Sequence, residues 1–176
     1  MTDGSRTARI LYAGRYLEFA ERSGWEMVLR RHPVVALMAW TPGDEMLLVE
    51  QYRIPVGKRT IELPAGLAGD SAEHSQESLL DAAGRELEEE TGWRAGRLEF
   101  VMACPSSAGL SDETISFVAA HDLVRTGPGG GDASEDIRVH AVAQADIDDW
   151  LAGRHEAGLG IDSKIYTALY LRSRWR

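Results

Sequence analysis

A single cysteine, Cys104, stands in the 176 residues, so no disulfide can close within the chain. That scarcity fits a reducing compartment, and nothing beside Cys104 marks it as an activated nucleophile. It reads as a small buried apolar residue. Long apolar runs are missing too. None approaches the roughly 18 residues of a membrane-spanning helix, and the opening MTDGSRTARI lacks the apolar stretch of a secretory signal. The expectation is a soluble cytoplasmic protein with no membrane partner. Positive charge is scarce: 19 Lys and Arg against 28 Asp and Glu leave a formal net charge of −9. That balance speaks against a nucleic-acid backbone as partner. No repeat or low-complexity tract appears.

What is present supports one folded unit. Apolar residues make up 44% of the chain, with five Trp, enough for a substantial core. Three β-like runs, Arg9–Ala13, Tyr16–Ala20 and Trp25–Arg30, are punctuated by Gly14 and Ser23-Gly24. They predict an antiparallel meander over residues 1–33 that stands apart from a main domain over 34–176. Its aromatic residues, Tyr16, Phe19 and Trp25, need a partner surface, and a homodimer is one way to cover such edges. Val34–Trp40 and Glu45–Gln51 flank Thr41-Pro42-Gly43-Asp44, a hairpin signal. Further strands are expected at Thr60–Leu63, Leu98–Met102, Thr114–Ala119 and Ile137–Val142. Helices are expected over Glu77–Thr91, Ala145–Ala152 and Asp162–Leu171, and Gly127–Gly131 reads as a flexible loop. Strands on both sides of one helix, with another helix at the end, predict an α/β sandwich.

The informative stretch is Ile61–Trp93. Its end, Arg85-Glu86-Leu87-Glu88-Glu89-Glu90-Thr91-Gly92-Trp93, reads as an acidic helix closed by glycine. Glu86, Glu89 and Glu90 share a face there, and like charges at that spacing repel by about 0.2–0.5 kcal/mol per pair. A hard divalent cation, which prefers carboxylate oxygen, relieves that repulsion. Leu80, Ala83, Leu87 and Thr91 form the apolar stripe expected to anchor the helix.

Glu77 followed by Arg-Glu-aliphatic-x-Glu-Glu-x-Gly-bulky resembles the signature of the Nudix hydrolases, which cleave a nucleoside diphosphate linked to a further group. The Gln51-Tyr52-Arg53 and Glu62-Leu63-Pro64-Ala65-Gly66 segments look like the ADP-ribose pyrophosphatase branch. The resemblance implies a Nudix-type α/β/α sandwich with a mixed sheet. It implies Mg²⁺ (or Mn²⁺) held by the Ala65 backbone carbonyl, Glu86, Glu89, Glu90 and Glu135. It further implies Gln51, Arg53, Glu62 and Gly109 as substrate-binding residues, with Glu113, Glu135 and Glu89 as catalytic candidates. Arg85 is expected to pair with Glu77 or Glu89 and orient the cluster.

The chain departs from the pattern in places. Ser71 stands where the signature has its first glycine, and Gly66 lies about five residues too far upstream. Ala108 stands where the branch tends to carry proline, and Ala133 where some members carry a catalytic Glu, leaving Glu113 or Glu135 as base. The reaction implied is hydrolysis of ADP-ribose, or a related nucleoside diphosphate sugar, to AMP and ribose 5-phosphate by a homodimer. A GDP- or UDP-linked sugar is the alternative substrate. A sensing module without turnover is the rival from another class, but it would be expected to carry a DNA-binding segment or eroded carboxylates. Neither is seen.

Overall fold

The computed structural model describes residues 7–69, 76–131 and 136–174. Three strands come first, β1 (Arg9–Ala13), β2 (Leu17–Arg22) and β3 (Trp25–Arg30), paired antiparallel in that order. Then follow β4 (Val34–Ala39), β5 (Glu45–Arg53), β6 (Lys58–Glu62), β7 (Ala65–Leu67) and helix α1 (Leu79–Thr91). After them come β8 (Trp93–Arg94), β9 (Arg97–Pro105), β10 (Thr114–His121) and β11 (Val124–Arg125). The chain closes with β12 (Arg138–Ala143), α2 (Ile147–Glu156), β13 (Gly160–Ile161) and α3 (Ser163–Arg174).

One sheet has the order β7-β4-β10-β9, with β10 parallel to β4 and the other pairs antiparallel. A second runs β12-β5-β6-β13, and only β13 on β6 is parallel. The sheets are mixed, as expected. Successive side chains of a strand point to opposite faces. Val35, Leu37 and Ala39 of β4 therefore pack with Ala83 and Leu87 of α1. Ala36 and Met38, from the same strand, join a second cluster with Leu151 of α2 and Ile165 of α3. A strand covered on both faces reads as an unbroken apolar run, and β4 is VVALMA. The result is the expected α/β/α arrangement with an added meander. No helix among the described residues is long and apolar enough to cross a membrane.

Three details differ from the sequence reading. The Thr41–Asp44 turn closes, with the Thr41 N–H donating to the Glu45 carbonyl at 2.9 Å, yet its strands do not form a hairpin ladder. They share only the Trp40–Met46 bridge and then enter different sheets, because each apolar run finds two neighbours of its own. On α1, Leu80 turns out to be exposed, while Leu79 packs on the core in its place. The meander is also tied to the main body. The Val28 N–H donates to the Leu110 carbonyl at 2.8 Å, and the Arg30 N–H to Asp112 Oδ1 at 3.0 Å.

Candidate active site

Helix α1 begins where Ser78 Oγ accepts the Asp81 N–H at 3.2 Å, a side-chain N-cap that supplies an acceptor for one unpaired amide. It ends at Gly92, in the left-handed conformation at φ +71°. Between these stops Leu87 faces the core, while Glu86 and Glu90 face β7. Arg85 lies among them. Its guanidinium donates to both Glu77 oxygens at 3.0 and 3.1 Å, to Glu86 Oε1 at 2.9 Å and to Glu89 Oε2 at 3.1 Å. The hydrogen bonds to Glu77, the Glu86 charge and the hydrogen bond to Glu89 hold Arg85 well above its ordinary pKa. The sequence offered Glu77 or Glu89 as its partner, and the structure joins both.

Two carboxylates converge on β7. Glu90, buried at 4% exposure, accepts the Ala65 N–H through Oε2 at 2.9 Å. Glu86 lies directly over the Gly66 α-carbon: a Cβ built there would sit 1.9 Å from Glu86 Cδ and 2.0 Å from Oε1. Only glycine lets the carboxylate come so close to the backbone. Glu86 and Glu90 thus both bring hard oxygen donors to the Ala65–Gly66 segment. That donor chemistry suits a divalent cation of the Mg²⁺ type. Among the described residues no three His, Cys, Asp or Glu side chains gather into a metal site by themselves. Glu89, half exposed, shares Arg85 with Glu86.

Ala65 and Gly66 also line a cleft of about 620 Å³, along with Arg30, Arg53, Glu62 and Glu113. Arg53 forms a two-pronged pair with Glu62, at 2.7 and 2.8 Å, and Thr60 Oγ1 donates to Glu62 at 2.5 Å. Burial alone would raise the Glu62 carboxyl; the Arg53 fork and the Thr60 hydroxyl overcome it and hold it below the ordinary value. Glu62 therefore fixes a fork-shaped cation in the cleft wall. Glu113 faces Arg30 across a 2.5 Å ion pair, and its own N–H donates to Ser111 Oγ at 3.0 Å.

Of the substrate residues expected from the sequence, Arg53 and Glu62 line the cleft, but Gln51 and Gly109 do not. Gln51 sits on β5, where its carbonyl lies 3.3 Å from Thr60 Oγ1. Gly109 lies in an exposed turn closed by the Leu110 N–H on the Ser107 carbonyl at 2.9 Å. Glu135 and Ser71 fall outside the described residues.

The sequence reading missed three charged cleft residues, Arg30 from β3 and Asp162 and Lys164 at the start of α3. Lys164 Nζ pairs with Asp162 Oδ2 at 2.5 Å. Asp and Lys two apart at a helix start were the visible signal, but spacing alone does not say which cavity they meet. It also missed the buried Glu50, which accepts from Arg59 Nε at 2.6 Å and lies 3.1 Å from His140 Nε2. Arg59 continues to Asp136 Oδ2 at 2.6 Å and so ties the chain just before β12 to the second sheet.

Comparison with known proteins bears on this geometry. The family model described as NUDIX domain matches residues 30–158. An ADP-ribose pyrophosphatase of Bacillus subtilis is 35% identical over 94 residues, 53% of this chain and 48% of that protein. A methanol dehydrogenase activator of Bacillus methanolicus is 38% identical over 94 residues, again 53% of this chain and 48% of its own length. The chain thus aligns with about half the length of each of these two relatives. An uncharacterised Nudix hydrolase of Schizosaccharomyces pombe is 30% identical over 158 residues, 81% of this chain and 74% of that one. A solved structure described as an ADP compounds hydrolase superimposes with a TM-score of 0.70 at 22% identity, covering 96% of this chain and 91% of that one. At that identity the superposition establishes the fold.

Proposed function

The chain belongs to the Nudix family, shown by the domain model over residues 30–158, and from that premise we propose that it is a Mg²⁺-dependent hydrolase of ADP-ribose or a related nucleoside diphosphate sugar. ADP-ribose would yield AMP and ribose 5-phosphate. The observation that supports this best is the meeting of Glu86 and Glu90 with Ala65-Gly66 at the edge of a cleft that also holds Arg30, Arg53 and Lys164. The net charge of −9 would repel a diphosphate, and since Arg30, Arg53 and Lys164 are each paired with a cleft carboxylate, a bound cation would have to reverse the sign locally.

Glu86, Glu90 and the Ala65 carbonyl would hold the ion, with Glu89 beside them and Arg85 keeping the carboxylates in place. When bound, a divalent ion neutralises charge developing on the phosphoryl oxygens and makes a water more acidic. Arg53, held by Glu62 through Nε and Nη2, would meet a phosphate with its Nη1 side. The attacking water forms the new P–O bond, and the bridging oxygen leaves with the other phosphate. The water proton passes to Glu113, the candidate base that lines the cleft, or to Glu135 on sequence grounds.

A substrate panel with product mass analysis tests the substrate. ADP-ribose should give AMP and ribose 5-phosphate, and exclusive cleavage of GDP- or UDP-linked sugars would replace that assignment. ADP-ribose binding without turnover in Mg²⁺ would favour the sensing reading. For the base, Glu113→Gln or Glu135→Gln should lower turnover by about 10²–10⁴-fold. Near-wild-type rates in both would remove the loop-base assignment.

The reading includes a homodimer joined through the meander of residues 1–33. Tyr12 and Tyr16 are 69% and 68% exposed there with Leu17 and Phe19 beside them, and Trp25 is 69% exposed at the other end of the β2–β3 hairpin. Isolated exposed apolar residues are ordinary, but a cluster of this kind is an interface signal. In sedimentation, wild type should run as a dimer and Trp25→Glu should shift towards monomer. A monomeric wild type would end this part of the reading.

A further inference from the structure

The segment Thr126–Gly131, TGPGGG, reads in sequence as a loose connection, yet it is locked onto the end of α1. The last carbonyls of a helix have no partner within it. Here the Glu88 carbonyl is taken by the Gly92 N–H at 2.9 Å, and the next two are taken by the loop. The Gly131 N–H donates to the Glu89 carbonyl at 3.0 Å and the Gly130 N–H to the Glu90 carbonyl at 2.8 Å. The Gly92 carbonyl accepts the Thr126 N–H at 2.8 Å and the Thr126 hydroxyl at 3.2 Å.

Such closeness is available to glycine alone. A Cβ on Gly129 would lie 2.4 Å from the Thr91 carbonyl carbon, 2.6 Å from the Glu90 carbonyl oxygen and 2.7 Å from the Gly92 nitrogen. All three are backbone atoms and cannot swing aside as a side chain can. Gly129 also has φ +71°, a conformation that side chains disfavour.

Water could satisfy the carbonyls of an ordinary helix end. What sets this one apart is which residues the loop grips. Glu89 and Glu90 carry the side chains at the candidate metal site, and Glu90 is pinned at its other end to the Ala65 N–H at 2.9 Å. We propose that the Thr126–Gly131 loop, with Gly129 at its closest approach, is a positioning element for the metal-holding carboxylates. It clamps the backbone of the last turn so that Glu86 and Glu90 reach Ala65-Gly66 together. The inference rests on the metal-holding roles proposed above for Glu86 and Glu90.

Mn²⁺ titration, following free Mn²⁺ by its electron paramagnetic resonance signal, separates the two ideas. Wild type should bind, Glu90→Gln should bind poorly, and Gly129→Ala should bind at least about tenfold more weakly. Turnover of Gly129→Ala should fall most at low metal and recover in part as metal is raised. A merely structural defect would not produce that recovery. Gly130→Ala is the milder variant should Gly129→Ala fail to fold. Its Cβ would meet nothing nearer than the Ile137 carbonyl at 3.7 Å, so it is opposed only by φ +110°. It should weaken Mn²⁺ binding in the same direction. Hydrogen exchange on wild type should show protected Gly130 and Gly131 amides.

If wild type and Glu90→Gln bind Mn²⁺ alike, the metal-site reading itself has failed. If they differ as expected while both glycine variants bind like wild type, or if the two amides exchange freely, the positioning role is wrong and the metal site stands.

Discussion

Replacing Glu90 with Gln is expected to lower turnover by about a thousandfold while leaving the fold intact. The substitution changes charge and almost nothing else. Gln keeps a side-chain oxygen that can accept the Ala65 N–H now bonded to Glu90 at 2.9 Å, so the contact between helix and β7 survives. The lost negative charge was one of the carboxylates crowded on one helix face. Relieving that repulsion offsets part of any loss of stability, and the melting temperature should stay within a few degrees of wild type. Catalysis has no such compensation. Metal-borne stabilisation of a phosphoryl-transfer transition state is worth several kcal/mol, and about 4 kcal/mol corresponds to roughly a thousandfold in rate. Turnover measured across a metal titration, alongside thermal melts, checks this. Wild-type turnover at low metal would reject Glu90 as a ligand.

Gly66→Ala is expected to lower turnover by roughly a hundredfold, for a steric reason rather than an electrostatic one. The new methyl carbon would sit 1.9–2.4 Å from the Glu86 carboxyl and Cγ. Those atoms belong to the far part of a flexible side chain, so the clash can be relieved by Glu86 turning away. The fold should therefore lose little. The site loses a carboxylate aimed at the metal point, and misplacing a residue that orients or supplies a metal ligand typically costs about 10–100-fold. Because both changes act through one carboxylate, the double variant Gly66→Ala, Glu86→Gln should be scarcely slower than Glu86→Gln alone. Additive losses, or full activity in Gly66→Ala, would show that Glu86 does not work from the position it holds over Gly66.

These two predictions draw on different amounts of sequence information. The carboxylates of α1 could be read directly, because helix residues three and four apart must be neighbours whatever else the chain does. The role of Arg85 was nearly as legible, for the same reason. Gly66 was visible as a turn residue after Leu63-Pro64, but nothing in its neighbours says that a carboxylate twenty residues later rests on it. The relation of Arg53 to Glu62 was half legible: both residues stood out, though as separate substrate contacts. Their pairing at 2.7 and 2.8 Å makes one the holder of the other. Arg30 escaped the reading altogether, since it reaches Glu113 from a different strand system 83 residues away.

The strands were mostly legible as strands, and their partners were not. Val34–Ala39 and Glu45–Arg53 announce themselves by apolar, β-branched and aromatic content, and the turn between them is marked by Pro42-Gly43-Asp44. Local signals of this kind favour a hairpin. The structure divides the two strands between sheets because both are apolar on both faces, and burying four faces requires more neighbours than a hairpin provides. The glycine-rich Thr126–Gly131 segment shows the same limit from the opposite side. Its composition signals freedom, while its place in the fold uses the missing side chains for contact with the end of α1.

By itself the sequence determined the acidic helix, its stops, the family resemblance and so the oxygen-rich chemistry, all properties carried by residues within a turn or two of each other. Only the tertiary structure decided that Glu86 lies on Gly66, that Arg30 faces Glu113, and that a loop near residue 129 holds the helix end. Contacts of that kind join residues far apart in the chain, and their existence depends on how every intervening element packs.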